Sequence, residues 1–403
     1  MELNKKNIGI IFPVSRKMGI FQLALSTAEG LMNYCNDFNY TILYFGEESP
    51  ETYIKIKNSQ NVTFVALDAS KNNLWGKIKT ITHLLIGKPI FTINKKNKEI
   101  LRKYNIDLLI PPSPLLLAFD NNIPYIVPIP DVMYKYYPGF PEYSFKDNII
   151  SDIVFRYSAK YARLCITDSA SGKNDVMKFF HQPEDKIRAI PYIPPGYVFE
   201  NKDMTRNQAN DILLKYTLPD KFIFYPAQFW FHKNHLRLVK SIAIIKQRYQ
   251  EEVNLVLVGD PNANKENYEK VMDLARSSGI ENQIFSLGYV TDEEIVALYK
   301  KSIALVFASV GGPTNIPIVE AMLLGTPVVC PNLFAMPDQV QDAGVLFDPF
   351  NPEDMAEKIK EVWENENLRK QMIEKGYRRA KYFTHENYAK MWIEAVRRSL
   401  NKI

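Results

Sequence analysis

The chain has 403 residues, 46% hydrophobic and 24% charged, with a net charge of +5. That length suffices for two or three ordinary globular domains, the charge is too small to imply nucleic acid, and no apolar run reaches the roughly 18 residues that a spanning helix needs. Cys35, Cys165 and Cys330 lie in apolar contexts without metal-ligand spacing, and the five histidines form no metal motif, so reduced thiols in a cytoplasm are expected and no metal is.

The first residues, Met1 to Lys6, run straight into a strand, so no signal peptide is expected. Asn7 to Val14 is an apolar strand. Ser15 to Gly19 is a polar loop, and Ile20 to Asn33 has helical spacing, which makes a first βα unit. Strands follow at Tyr40 to Phe45, Val62 to Leu67, Ile106 to Ile110, Tyr125 to Ile129 and Leu164 to Thr167. Helical stretches lie between several of them, including Asn94 to Tyr104, Asn148 to Tyr161 and Ser171 to Phe180. Strands alternating with helices indicate a mostly parallel sheet with covered faces. The proline cluster Pro191 to Gly196 and the polar run Glu200 to Asn210 then read as a linker.

The alternation restarts at Lys221. Strands are expected at Phe222 to Pro226, Asn254 to Val258, Ile284 to Leu287, Ile303 to Phe307, Pro327 to Cys330 and Val345 to Phe347. Helices are expected at Lys233 to Tyr249, Lys265 to Ser277, Asp292 to Lys301, Ile318 to Leu324 and Pro352 to Asn365, followed by Leu368 to Tyr382 and Glu386 to Leu400. Thr291 with Glu294 fits a capping box, and Asn351-Pro352 fits an N-cap followed by proline. The fold class is therefore α/β, with two doubly wound domains, one linker and a cleft between the domains as the default ligand site.

The most informative stretch is Ala308 to Met322. An apolar strand runs into Gly311-Gly312-Pro313-Thr314-Asn315, which make a turn and an N-cap. A short helix follows and ends at Gly325. A strand, a glycine loop and a helix N-terminus form an anion site, because free N–H groups and the positive end of the helix dipole point into the loop. Glu320 lies one turn inside the helix, within reach of a hydroxyl on the same ligand.

Four segments carry a resemblance. They are Phe224 to His235 (FYPAQFWFHKNH), Leu257-Val258-Gly259-Asp260, Leu287-Gly288-Tyr289-Val290 and Gly312 to Ala321 (GPTNIPIVEA). In order and spacing they resemble the bacterial group 1 glycosyltransferases, retaining enzymes of the GT-B fold. The resemblance is strong over 220 to 380 and extends weakly to Ile129 to Pro138. It implies two Rossmann-like domains facing across a cleft. Residues 1–195 would bind the acceptor, and 196–382 would bind a nucleotide-activated sugar. A helix in 383–403 would cross back onto the first domain. The activity implied is transfer of a hexosyl unit from a nucleotide-sugar donor to a saccharide or lipid-linked acceptor in surface polysaccharide biosynthesis, without a metal or other cofactor.

The same resemblance assigns roles. No Asp-x-Asp metal site is evident, so Lys233 is the candidate point charge for the leaving diphosphate. The family has an arginine near Gln228, and Gln228 offers a hydrogen bond without charge. Of the family's two glutamates, the second matches Glu320 and the first falls on Gly312. Backbone amides of Asn315 and Ile316, with Thr314 beside them, are expected to replace that missing side chain toward the sugar. Tyr289 and Val290 follow the strand beside the nucleobase. In the first domain Pro130-Asp131 stands where the family has His-Asp. Asp131 is a candidate for orienting the acceptor hydroxyl or taking its proton, and is equally well suited to capping the next turn. Gly19, with Arg16 and Lys17, is a candidate approach to the diphosphate, and the two charges suit a plain surface loop equally well. No paired catalytic carboxylates appear, which accords with front-face attack assisted by the leaving phosphate.

Lys71 to Lys103 carries nine Lys or Arg against Glu99 alone, with Leu74, Trp75, Ile78, Ile81, Leu84 and Leu85 at helical spacing. Such a segment could lie on an anionic membrane surface, although a core-facing helix with a solvated basic face is the preferred reading. A peripheral position on the inner face of the cytoplasmic membrane is the expectation that the membrane reading carries. Two rival functions remain. One is a nucleotide-sugar-binding protein that has lost transfer, motivated by Pro130, Gln228 and Gly312. The other is a GT-B phosphorylase or epimerase, disfavoured by the lack of a cofactor-lysine motif or an epimerase histidine.

Overall fold

The computed structural model describes residues 5–13, 19–46, 48–56, 62–68, 95–115, 122–142, 145–312 and 314–401. Two compact units emerge. The first takes Met1–Pro138, Ser144–Tyr192 and His385–Ile403, and the second takes Gly139–Tyr143 and Ile193–Thr384.

In the first unit the strands are β1 (Lys6–Phe12), β2 (Phe38–Phe45), β3 (Val62–Leu67), β4 (Leu108–Ile110), β5 (Ile126–Pro128), β6 (Leu164–Thr167) and β7 (Ile187–Ala189). They pair in the orders β3-β2-β1-β4 and β5-β6-β7. A parallel bridge from Leu109 to Tyr125 joins the two sets, with the Leu109 N–H donating to the Pro124 carbonyl at 2.9 Å. The paired ladders are all parallel. Such sheets must be covered on both faces, which explains why these strands read as apolar runs rather than alternating ones. Helix Gly19–Tyr34 lies against the C-terminal helix His385–Asn401. Gly30 allows the approach, because a Cβ there would already touch the Cβ of Ala389 at 3.5 Å. The Thr27 and Tyr388 hydroxyls share a buried hydrogen bond of 3.1 Å. The chain's last helix thus completes the first unit, whose core Tyr388 and Trp392 enter.

In the second unit the strands are β8 (Ile223–Pro226), β9 (Leu255–Val258), β10 (Ile284–Ser286), β11 (Ala304–Val306), β12 (Val328–Pro331) and β13 (Gly344–Phe347). Their spatial order is β10-β9-β8-β11-β12-β13, all parallel. The order reverses between β8 and β11. That is the topological switch point, where the carboxyl ends of neighbouring strands send their loops to opposite faces and open a crevice.

The polar run expected as linker is structured from Thr205 onward. Thr205 and Gln208 form a capping box for helix Arg206–Leu213, whose Ala209 and Leu213 bury against helix Asp292–Lys301. Two apolar contacts on one face hold a helix whose other face is polar, which is why its composition imitates a linker.

Candidate functional site

Two loops meet at the switch point of the second unit. The loop after β8 turns through a 3₁₀ segment, Phe231–Lys233, before helix His235–Tyr249 begins. Lys233 therefore stands just before the helix rather than in its first turn. Asn234 makes the reversal in the left-handed region, at φ 60°, and its side-chain amide donates to the carbonyls of Ala308 and Pro349 at 3.2 and 2.9 Å. The Tyr225 hydroxyl donates to the Lys233 carbonyl at 2.8 Å. The Val310 N–H donates to the His232 carbonyl at 2.8 Å, and Ser309 Oγ adds a second bond of 3.2 Å. The backbone that carries Lys233 is thus fixed to the loop after β11 and to the core, and Lys233 Nζ lies 5.9 Å from the Phe307 ring centre. His235 is fully buried and stacks on Phe229 at 4.6 Å. Desolvation, helped by the Lys233 charge, lowers its pKa to about 3 and keeps it neutral.

Close approach to the neighbouring strand requires Gly259. A Cβ there would sit 2.3 Å from the Ala227 carbonyl oxygen, while its N–H bonds the Gly288 carbonyl at 3.1 Å. Gly259→Ala must push the β8 loop aside. A loss of about 1–3 kcal/mol, as for other overpacked sites, is expected. Thermal unfolding checks it, and an unchanged melting temperature would show the loop is not held there.

The loop after β11 leads into helix Ile316–Leu324 with Asn315 at the N-cap position. The expected cap differs in its chemistry. The Asn315 side chain makes no capping bond. Instead the Gln339 side chain pairs with the Asn315 backbone, its Oε1 accepting the N–H at 3.1 Å and its Nε2 donating to the carbonyl at 2.8 Å. The Asn315 amide expected to face a sugar hydroxyl is already satisfied by Gln339. Ile316 begins the helix, Thr314 is half-buried beside the loop, and Pro313 lies outside the described residues.

Glu320 is buried, with 6% of its surface exposed. Its Oε2 accepts a 2.7 Å hydrogen bond from the Tyr299 hydroxyl. Desolvation raises its pKa to about 7, against the lowering effect of hydrogen bonds from Tyr299 and Tyr197. The sequence places Glu320 one turn into the helix; the structure adds two tyrosines that hold it. Tyr289 is 83% exposed and Val290 is buried, with Gly288 in the left-handed region between strand and loop.

In the first unit Asp131 Oδ1 accepts the Met133 N–H at 3.0 Å, so Asp131 does cap the following turn. Gly19 opens helix Gly19–Tyr34, and a Cβ there would meet nothing within 4 Å. Arg16 and Lys17, and most of the basic segment 71–103, lie outside the described residues; its end forms helix Lys95–Lys103, with Asn97 and Leu101 buried. Among the described residues, no three His, Cys, Asp or Glu side chains converge to hold a metal.

Three residues of the site have no sequence signal. Gln339, Tyr299 and Glu142 all act on partners far along the chain. Glu142 belongs to the short segment of the second unit, and its Oε1 accepts from both the backbone N–H and ring Nδ1 of His232 at 3.1 Å.

Residues 214–379 match the family described as "Glycosyl transferases group 1". The match lies within the second unit and includes both switch-point loops. O-antigen chain mannosyltransferase B of Escherichia coli is 26% identical over 261 residues, covering 64% of this chain and 66% of that protein. Serotype-specific mannosyltransferase WbdA of Escherichia coli is 24% identical over 263 residues, covering 63% of this chain and 32% of that protein. The chain thus spans just under two thirds of the first relative and about a third of the second. A glycosyltransferase from Rickettsia africae superposes with a TM-score of 0.73 at 18% identity over 100% of both chains. Anabaena Alr3699/HepE, solved with UDP and glucose, gives 0.75 at 14% identity over 97% of this chain and 99% of that one. The fold is GT-B, built from two Rossmann-like units. Within the matched segment, Gln228 stands where the resemblance places an arginine, and its Oε1 accepts the Asp260 N–H at 2.9 Å. Gly312 stands where it places a glutamate. Its φ is +88°, a conformation that side chains rarely adopt, and a Cβ would lie 2.9 Å from Asn315 Oδ1, so a glutamate here would strain the backbone and displace the Asn315 side chain.

Proposed function

We propose that the protein is a retaining hexosyltransferase that moves a sugar from a nucleotide-sugar donor to a saccharide or lipid-linked acceptor in surface polysaccharide biosynthesis. The observation that carries the reading is Lys233, fixed at the carboxyl ends of β8 and β11 beside the loop that opens helix Ile316–Leu324. A lysine and a helix N-terminus together suit a diphosphate. In the reaction the acceptor hydroxyl attacks the anomeric carbon, the bond from that carbon to the diphosphate oxygen breaks, and the proton passes to the leaving phosphate on the same face. Lys233 meets the charge that develops there, so no metal is proposed. Glu320 is assigned to a hydroxyl of the donor. Two of the relatives are named as mannosyltransferases, which makes a mannosyl donor the first to test.

The test is a thermal-shift panel of UDP, GDP, dTDP and ADP with their sugars, followed by turnover on saccharide acceptors. A ligand at about 100 times its dissociation constant adds about 2.7 kcal/mol, a readable shift. One nucleotide class that stabilises the protein and is turned over supports transfer. Binding without donor hydrolysis or transfer would favour the lapsed enzyme, for which Pro130, Gln228 and Gly312 speak. A peripheral membrane position is proposed for the basic segment 71–103. No helix of the described residues is long and apolar enough to cross a membrane. Flotation with anionic but not neutral liposomes is the expected result, and equal behaviour in both would remove the proposal.

A further inference from the structure

The β8 loop carries a second basic group beside Lys233. His232 lies against the glycine loop, because a Cβ on Gly311 would meet its Cδ2 at 3.0 Å. The His232 Cβ and Cγ follow at 3.5 Å, so the ring lies along the glycine loop on its Cβ–Cγ–Cδ2 side. The ring's Nδ1 is 3.1 Å from Glu142 Oε1, and the same oxygen accepts the His232 N–H. The Glu142 and His232 side chains are only 11% and 20% exposed. Glu142 Oε2 is also buried and has no hydrogen bond among the described residues, so the carboxylate has few partners other than His232. A half-buried carboxylate bonded to Nδ1 fixes the tautomer, with Nδ1 as donor, and favours the doubly protonated ring. The charge is needed here. Gln228 brings none, and its carbonyl oxygen is taken by Asp260.

We propose that His232, carrying a proton and held by Glu142, is the second cation of the diphosphate site, and that Glu142 is its positioning residue. The inference rests on the reading of this loop as a donor site. The ligand is the diphosphate of a nucleoside diphosphate, which His232 meets through Nε2–H, the ring nitrogen that Glu142 does not hold, while Lys233 meets it as a point charge. Among the described residues, the titrating groups beside His232 are Glu142, Lys233 and His235. Glu142 supports the protonated ring. Lys233, next in the chain, opposes it. His235 is held neutral by burial, and Ser309, Val310 and Gly311 bring no titrating group. Hydrogen bonds from His232 outweigh burial and hold the Glu142 carboxyl below the usual range, so it stays charged where the imidazole titrates.

The sign follows. Binding that needs the imidazolium is full at low pH and is lost as pH rises through the imidazole pKa. Removing the carboxylate moves that loss to lower pH. The experiment measures binding of UDP, GDP, dTDP and ADP to the full chain by calorimetry from about pH 5.5 to 8.5, for wild type, Glu142→Gln, His232→Gln and Lys233→Ala. The amide in Glu142→Gln keeps an acceptor oxygen, and ligand-free melting confirms that each variant folds. The ligand's own phosphate ionisation is common to all and cancels in ratios to wild type. Glu142→Gln should bind about tenfold more weakly than wild type near pH 7.5 and recover to within about twofold near pH 5.5. His232→Gln should be weaker than wild type at low pH and converge on it at high pH. A Glu142→Gln ratio that stays constant with pH, or His232→Gln binding as tightly as wild type near about pH 6, overturns the role of the pair. If Lys233→Ala still abolishes binding in that case, the donor site stands and only His232 falls. Should wild type bind none of the four, the donor-site reading fails and takes this inference with it. Where Glu142→Gln does not fold, the His232→Gln profile decides alone.

Discussion

Lys233→Ala is expected to lower kcat/KM for sugar transfer by about 10²–10³-fold, with a melting temperature close to wild type. Cleaving the bond to the diphosphate places growing negative charge on the leaving oxygens. A fixed cation there is worth more in the transition state than in the bound donor, so kcat falls as well as affinity. The scaffold of the loop does not depend on the side chain. The bonds that fix residue 233 run from the Tyr225 hydroxyl to its carbonyl and from Val310 and Ser309 to the carbonyl of His232, and all survive truncation. Lys233→Arg keeps the charge but changes its shape from point to fork, and should recover part of the loss. Steady-state kinetics with melting curves check the result. A variant within about threefold of wild type would place the diphosphate elsewhere.

What is legible in the sequence is what local chemistry writes. Parallel strands buried on both faces leave apolar runs, so β8, β9 and β12 stand within a residue or two of their expected bounds. The caps are equally plain. Thr291 and Glu294 form the capping box that their spacing predicts, and Asn351 accepts from the N–H groups of Glu353 and Asp354. The glycine loop is readable because Gly312 and Gly325 need positive φ. What stays hidden is what long-range packing writes. Glu142 meets His232 across 90 residues, and Gln339 meets Asn315 across 24. Neither pair has a period or a spacing. The Asn315 amide reads as free because N-terminal amides of a helix are free until something caps them, and the residue that does so arrives from another helix. Helix Arg206–Leu213 is hidden for a related reason, since Ala209 and Leu213 are too few to outweigh the polar residues between them.

The second large effect concerns stability and pH. Glu320 has an ordinary carboxyl pKa when the chain is unfolded and about 7 when folded, because burial opposes its charge. The folded state therefore holds the proton through a range in which the unfolded state has released it. Stability contributed by this group is full below the unfolded value of 4.5 and is lost as pH rises through about 7. At 1.36 kcal/mol per pKa unit, the loss is on the order of 3 kcal/mol by about pH 8. Glu320→Gln carries no titrating proton and keeps a carbonyl oxygen for the Tyr299 hydroxyl. Its stability should stay level across the range in which wild type falls, so the variant should be the more stable of the two at about pH 8 and near-equal at about pH 5. The same substitution should weaken donor binding, since Glu320 is assigned to a donor hydroxyl. Stability and function then pull in opposite directions at one residue. A buried carboxyl that costs the folded state this much at neutral pH is what a binding group looks like before its ligand arrives. Chemical denaturation of both proteins at several pH values decides it: if wild type and Glu320→Gln fall in parallel, Glu320 is charged and well satisfied in the folded chain, and the strain assigned to it does not exist.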